Sequence, residues 1–501
     1  MPSHGAVPDS AVTTDPIPNA PAARPLAAVV ALCSGGLAAA LSQTMVIPIQ
    51  GELPRLLDST AANTAWVVTI TLLAGAVTMP VSGRLADMLG KQRVLVASTL
   101  LLVAGSVVCA LADSLAPMLV GRALQGLAMG FIPVGIALLR EIVPPHLAGS
   151  SVAAMSATLG VGGAIGLPLS AWIVEVGDWH ALFWVSAGVA VAVLVALVLL
   201  VPHVHDAHPA RFDTVGAIGL ATGLVLFLVG LSKASAWGWG SGRTLGFIAA
   251  GLVVLVVWAL VELRTTEPLV DLRSTARLPV LLTNLAAIAV GMGMMAQAIV
   301  VPQLLQLPEA LGYGLGQSLL AAGLWMAPGG LMMLFFAPVS SRLMASIGAK
   351  VTLMIGASVL GGGYVLALFL MGSAWQLAAA AVVISIGVGI GYAAMPSLVL
   401  DASPAHEAGS AVGVNALARS LGTTLASALM GTVLTSSTLT LGAGAGAVVV
   451  PTEGAFQACF VIGAAAALLG VAIAATIPRT RPAPPAAPSG LTPREDVATS
   501  A

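Results

Sequence analysis

The feature that most constrains this chain is a succession of apolar runs, each close to the ~20 residues that a helix needs to cross about 30 Å of hydrocarbon. Cutting at charges and at Pro/Gly turns places them near residues 26–50, 63–83, 94–113, 116–140, 150–174, 181–202, 214–232, 244–263, 279–303, 318–340, 350–371, 376–399, 408–434 and 455–477. Inside a bilayer no water satisfies the backbone, so each run must close its own hydrogen bonds as a helix. Composition agrees. Of the 501 residues, 58% are hydrophobic and 8% are charged, against roughly 25% charged in a soluble domain. So few charges cannot cover a surface that faces water. The predicted fold class is an all-α polytopic membrane protein of about 14 transmembrane helices.

The positive charges predict its orientation. With the N-terminus in the cytoplasm, the cytoplasmic segments hold Arg24, Arg84, Lys91, Arg93, Arg140, Arg211, Arg264, Arg273, Arg277, Arg342, Lys350, Arg479, Arg481 and Arg494. The opposite segments hold Arg55, Lys233 and Arg243, and Arg122 and Arg419 fall inside spans. That bias predicts both termini inside, in the cell's inner (plasma) membrane. Residues 1–23 are rich in Pro, Ala, Thr and Asp and lack a basic start, which predicts a disordered tail rather than a cleavable signal peptide. Residues 479–501 predict a second disordered tail. Cys33, Cys109 and Cys459 sit in apolar runs, so neither a disulfide framework nor a metal site is expected.

Six spans precede residue 203 and six follow residue 279, with two shorter spans between them joined by SAWGWGSGR, Ser235 to Arg243. Trp237 and Trp239 there suit an aromatic belt at the outer interface. The expected plan is 6+2+6: an N-terminal six-helix half at 24–202, an inserted two-helix region at 203–278 and a C-terminal six-helix half at 279–478. The halves echo each other. GRLADMLGKQR, Gly83 to Arg93, follows the second span, and SRLMASIGAK, Ser341 to Lys350, follows the tenth. Repeated halves mark transporters that rock one half against the other.

Gly83, Asp87, Gly90, Lys91 and Arg93 resemble the signature loop of the major facilitator superfamily. The resemblance extends to its fourteen-helix drug:proton antiporter branch through LVGRALQGLAMG around Arg122, GDWHALFW (177–184), RFDTVGAIGL (211–220), EPLVDLR (267–273) and GSAVGVNALARSLG (409–422). It implies a conformational latch at the signature loop, where Asp87 can pair with a basic group or accept helix N-terminal amides across the halves. In helix 5, GAIGLPLSAW stands where the family places Gly-Pro followed by two glycines, so Gly162, Gly166 and Pro168 are the candidate hinge. In helix 1 the family commonly has Leu-Asp-x-Thr, with the Asp as proton carrier; this chain reads LSQT, with Ser42 in the acid's place. The second signature copy has Ala345 in place of its acid.

An Arg inside a bilayer is costly and usually faces the bundle interior. Arg122 shares a helix face with Gln125 and Met129, and Arg419 shares one with Asn415; both arginines are candidate buried-charge or coupling sites, with a structural Arg satisfied by carbonyls as the other reading. A substrate cavity is expected from Ser42, Gln43, Gln125, Gln297, Trp325 and Asn415, with Asn284 and Met326 beside them. Every acid falls in a loop, tail or span end, leaving Asp87, Glu141 and Glu175 as edge candidates for proton binding. A cavity without acids favours neutral or anionic amphiphiles over cations.

The expected function is a secondary transporter that exports small amphipathic molecules (drugs, antibiotics or secondary metabolites), with proton exchange implied by the resemblance. An uncoupled facilitator and a non-transporting sensor on the same fold are the alternatives. An enzyme is not expected, since GVGGAIG (160–166) lies mid-span as helix packing and no nucleotide loop or metal-spaced His/Cys set is visible. The expected partners are a small-molecule substrate, the lipid bilayer and protons, with no cofactor, metal or nucleic acid, and the chain acting as a monomer.

Overall fold

The computed structural model describes residues 25–47, 49–202, 211–441 and 448–478. Both expected tails, with Arg24, Arg479, Arg481 and Arg494, and the expected boundary at 203 lie outside the described residues. Among the described residues fourteen long helices follow in order. They are α1 (Pro25–Thr44), α2 (Trp66–Leu89), α3 (Lys91–Ala110), α4 (Leu115–Ile142), α5 (Pro145–Val176), α6 (His180–Leu200) and α7 (Thr214–Ser232). The second seven are α8 (Gly242–Glu262), α9 (Leu278–Gln306), α10 (Leu319–Ile347), α11 (Ala349–Phe369), α12 (Ala374–Ala402), α13 (Ala408–Ser436) and α14 (Glu453–Thr476). A 3₁₀ turn at Ala128–Gly130 interrupts α4.

Thirteen of these helices are long and apolar enough to cross a membrane, so the chain is a multi-pass membrane protein. The fourteenth, α13, has 29 residues but carries Asn415, Arg419 and a series of Ser and Thr. It packs along α9 on one side and α2 on the other, where protein rather than lipid meets its polar groups.

Two expected boundaries are corrected. Helix α1 ends at Thr44 rather than near 50, and turns with two short helices, Leu53–Leu56 and Ala61–Thr64, follow it. Helix α2 runs on to Leu89, so most of the expected signature loop is helical. Its single break is Gly90, whose φ of 96° lies where an L side chain is strained. The echo segment repeats this arrangement: α10 runs to Ile347, and Gly348 turns at φ 85° into α11. We call the side that carries Gly90 and Gly348 the basic face. An antiparallel hairpin, β1 (Thr438–Leu441) with β2 (Val448–Pro451), joins α13 to α14 on the opposite side and was not foreseen from the sequence.

The largest apolar core gathers α9 to α14 around Val300, Leu304, Tyr364, Phe456 and Phe460. A second core gathers the early helices around Leu32, Leu95, Leu138 and Leu139. Helices α7 and α8 pack on each other, and Leu220, Leu224 and Leu228 of α7 reach Leu73 and Ala76 of α2. Helix α8 is otherwise bare: it is the least buried of the thirteen long apolar helices, and Leu252, Val253, Val256, Val257 and Leu260 are exposed. In a bilayer such side chains meet acyl chains. Small residues bring α5 against α10, with Gly330 against Ala164 and Gly160, and Gly323 against Pro168.

Candidate functional site

Two buried arginines organise the interior. Arg122 on α4 is 1% exposed. Its Nε donates to the carbonyl of Val67 at 3.1 Å, and its Nη1 donates to the carbonyl of Ser42 at 2.7 Å and to Gln125 Oε1 at 2.7 Å. Gln125 Nε2 donates onward to Ser106 Oγ at 3.0 Å, which lies 3.1 Å from Ser186 Oγ. One guanidinium thus ties α1 and α2 to α4, and through Gln125 to α3 and α6. Its partners are neutral oxygens, which carry partial negative charge without adding a second ion to desolvate.

Arg419 on α13 has a different shell. Its Nη1 donates to Asn415 Oδ1 at 2.5 Å, and Asn415 Nδ2 donates to Asn284 Oδ1 on α9 at 2.9 Å. The guanidinium lies over the Tyr392 ring, 4.5 Å from its centroid. Arg419 Nε and Asn284 Nδ2 are buried without a hydrogen-bond acceptor.

The residues expected to line a substrate cavity separate into three places. Ser42 and Gln125 are buried in the Arg122 shell, and the Ser42 hydroxyl turns back to the carbonyl of Ala39 at 2.8 Å. Gln43 is half-buried and its amide donates to Met129 Sδ. Gln297 and Trp325, both half-buried, lie in the later helices: Gln297 Nε2 donates to the Ala381 carbonyl and to Ser385 Oγ, each at 3.2 Å, and Trp325 Nε1 donates to Gln317 Oε1 at 3.0 Å. Asn415 is fully buried beside Arg419. In helix α5, Gly162 abuts Ala40 and Gly166 abuts Thr44, while Thr44 Oγ1 donates to the Gly162 carbonyl at 3.2 Å. Pro168 faces Gly323 of α10 instead.

The signature residues meet the later helices directly. Asp87, 3% exposed, accepts the backbone N–H of Gly409 at 2.9 Å and of Ser410 at 2.8 Å. These are unpaired first-turn amides of α13, and a helix N-terminus favours an anion. A hydrogen-bonded helix end, not a basic side chain, is the cross-bundle partner of Asp87. The cation is local: Lys91 Nζ lies 3.9 Å from Asp87 and 2.6 Å from Glu141. Close approach requires glycine on both sides, because a Cβ at Gly83 would strike the Gly409 backbone and one at Gly409 would strike Asp87 and the Gly83 carbonyl. Gly90 allows the turn into α3, and Lys91 opens that helix with Arg93 two residues on.

A second contact closes the same face. Arg140 on α4 pairs with Asp401 on α12 at 2.5 Å, both partly exposed. The sequence had marked Arg140 only as a cytoplasmic charge, and no local pattern links two residues 261 positions apart. The Gly409-Ser410 pair was visible only as part of the helix-13 motif. No group of His, Cys, Asp and Glu able to hold a metal ion occurs among the described residues.

Comparison with known proteins agrees with this architecture. The chain is 28% identical over 422 residues to the tetracenomycin C resistance and export protein of Streptomyces glaucescens, covering 82% of this chain and 76% of that one. It is 25% identical over 374 residues to the multidrug transporter protein MdtP of Bacillus subtilis, covering 74% and 68%. Among solved structures, the human organic anion transporter MFSD10 superposes with a TM-score of 0.62 at 16% identity, over 90% of this chain and 99% of that one, a likeness of fold. The profile of the Major Facilitator Superfamily matches residues 32–427. A polytopic helical chain that matches this profile over most of its length, and carries the glycine-acid-glycine turn seated on α13, belongs to the Major Facilitator Superfamily and is a transporter, not an enzyme.

Proposed function

We propose that this chain exports small amphipathic molecules (drugs, antibiotics or secondary metabolites) across the plasma membrane in exchange for protons, by alternating access between two six-helix halves at 24–202 and 279–478. The inserted region is 203–278, both termini are cytoplasmic, and the basic face is the cytoplasmic one. The names of the two bacterial relatives, an export protein and a multidrug transporter, support the direction and the substrate class.

The observation that carries the reading is the seat of Asp87 on the N-terminus of α13. This joint between early and late helices is drawn together by hydrogen bonds and close glycine contacts, with Leu400, Ala408 and Val412 packed on the early core beside it. With Arg140 and Asp401 it seals the basic face, and export requires that seal to open. Proton exchange enters through the same cluster. Asp87 accepts two N–H groups as a carboxylate; as a neutral acid it loses charge and acceptor strength, which favours release from α13. Glu141, bound to Lys91 beside it, is the second acid of the cluster.

In this reading Arg122 fixes α1, α2 and α4 as one unit, Arg419 does the same for α9 and α13, and Gly162, Gly166 and Pro168 form the flexible stretch of α5. Gln43, Gln297 and Trp325 offer polar contacts to substrate. An uncoupled facilitator is the second reading, favoured by the neutral shell of Arg122, which places no carboxylate beside it. Purified protein in liposomes decides between them. Uptake of an amphipathic dye that follows an imposed pH gradient supports exchange, uptake indifferent to the gradient supports the facilitator, and no uptake overturns transport of this class.

A further inference from the structure

A cavity of about 700 Å³ lies on the flank of the molecule away from the basic face, between α2, α4 and the inserted pair α7 and α8. Its walls are the rings of Trp66, Trp237 and Phe247 and the aliphatic side chains of Leu73 and Val225, and Arg243 closes one edge. The surface facing inward is apolar throughout. None of the lining comes from α9 to α14, so the cavity is separate from the joint between Asp87 and α13.

One cation, Arg243, lines it, and a second, Lys233, lies over one of its walls. Lys233 follows the last residue of α7 and its Nζ sits 4.8 Å from the centroid of the Trp66 ring. Arg243 is in the first turn of α8. Among the described residues, neither has an ion-pair partner. Lys233 is half-buried, and desolvation pushes its ammonium below the ordinary lysine range. A cation left in that position without an acid gains from a bound anion. The pair is also conspicuous by side, since among the described Lys and Arg residues only Arg55, Lys233 and Arg243 sit at the helix ends remote from the basic face.

We propose that this cavity holds one acyl chain of an anionic phospholipid from the bilayer leaflet opposite the basic face, with its phosphate held by Lys233 and Arg243. Three observations favour lipid over a transported compound. A pocket that orients a small molecule places a few polar groups around it, and this wall offers none to a ligand's body. Helix α8 borders the cavity and is the least buried of the candidate spans, so acyl chains already surround it. The two cations lie where helices end, at the depth of phosphate headgroups, and Trp66, Trp237 and Trp239 mark the same interfacial belt. The lipid fills the gap between the inserted pair and the early helices and secures one to the other.

The test uses full-length protein, delipidated in detergent, with phosphatidylglycerol or phosphatidylcholine of identical chains as probes and native mass spectrometry as the readout. The wild type retains phosphatidylglycerol at least tenfold better than phosphatidylcholine. Lys233→Gln with Arg243→Gln erases that preference, Lys233→Arg with Arg243→Lys preserves it, and Val225→Trp, which fills the cavity, lowers retention of both lipids. The charge-preserving pair and the melting temperatures separate loss of the site from loss of the fold. Glycerol phosphate, a headgroup without chains, does not displace the lipid. Equal retention of both lipids by wild type, an unchanged preference in the Gln pair, or displacement by glycerol phosphate overturns the proposal. So does an anionic dye such as anilinonaphthalenesulfonate binding here while phosphatidylglycerol does not.

Discussion

The carboxylate of Asp87 accepts the backbone N–H of Gly409 from 2.9 Å across 322 positions of sequence, and takes that of Ser410 from 2.8 Å with its other oxygen. Both donors are amides that α13 cannot satisfy within itself. Replacing Asp87 by Asn keeps the shape and one acceptor oxygen but turns an NH₂ toward an N–H. A hydrogen bond to a charged group contributes about 1.5–3 kcal/mol, so the closed basic face should lose roughly tenfold or more in population. Export by Asp87→Asn should fall severely while its abundance in the membrane stays near wild type. Full export by this variant would reduce the contact to scaffolding.

The glycine pair makes a steric prediction. A side chain at Gly83 points into the backbone of Gly409 and Ser410. Gly83→Leu should hold α2 and α13 apart without touching any charge. A cysteine introduced at Ser410, now 7% exposed, should then react with a thiol reagent several times faster than in the Gly83 background. Equal labelling rates would show that the helices adjust without separating.

Arg122 is held by two carbonyls and an amide oxygen. Arg122→Met removes the donors and leaves the Ser42 carbonyl and Gln125 Oε1 buried, at about 1–3 kcal/mol for each one unsatisfied, while the Val67 carbonyl keeps the Thr71 hydroxyl. We expect a clear drop in the melting temperature of the purified protein. Arg122→Lys should recover only part of it, because an ammonium cannot span the same fork. A Met variant as stable as wild type would remove Arg122 from the list of structural ties.

Much of this fold is legible in the apolar runs, because a bilayer leaves a twenty-residue apolar stretch little choice but helix. The ends are less so. Gly83, Arg84 and Asp87 read as a loop, yet a helix needs only its own hydrogen bonds and can carry polar residues onward, so α2 reaches Leu89. Gly90 and Gly348 were visible as parts of an echo, and their positive φ values give that echo a geometric reason. A helix N-terminus across the halves was legible as one kind of partner for Asp87, but not which helix supplies it, nor the partner of Arg140, because a backbone amide at 409 and an acid at 401 carry no local mark of what they meet. The Asn284, Asn415 and Arg419 chain shows why a polar helix such as α13 belongs inside the bundle.

Ser42 stands where the family resemblance implies an acid, and its hydroxyl bonds its own helix at Ala39. What α1 supplies to Arg122 is the Ser42 carbonyl, which any residue there provides. Ser42→Ala should therefore shift stability by no more than about 1 kcal/mol and leave the pH profile of export unchanged. A profile that flattens in this variant would return helix α1 to the proton route.

The most direct test of alternating access lies at Arg140 and Asp401, whose side chains close the basic face beside the Asp87 joint. Cysteines placed at both positions, in a chain cleared of Cys33, Cys109 and Cys459, can be cross-linked by a short reagent cleaved by reductant. Transport of an amphipathic dye is then measured in liposomes before cross-linking, after it and after reduction. Alternating access predicts measurable transport before cross-linking, lowered by loss of the ion pair, a block when the face is tied shut, and return to the starting level on reduction. Undiminished transport with the cross-link complete would contradict it.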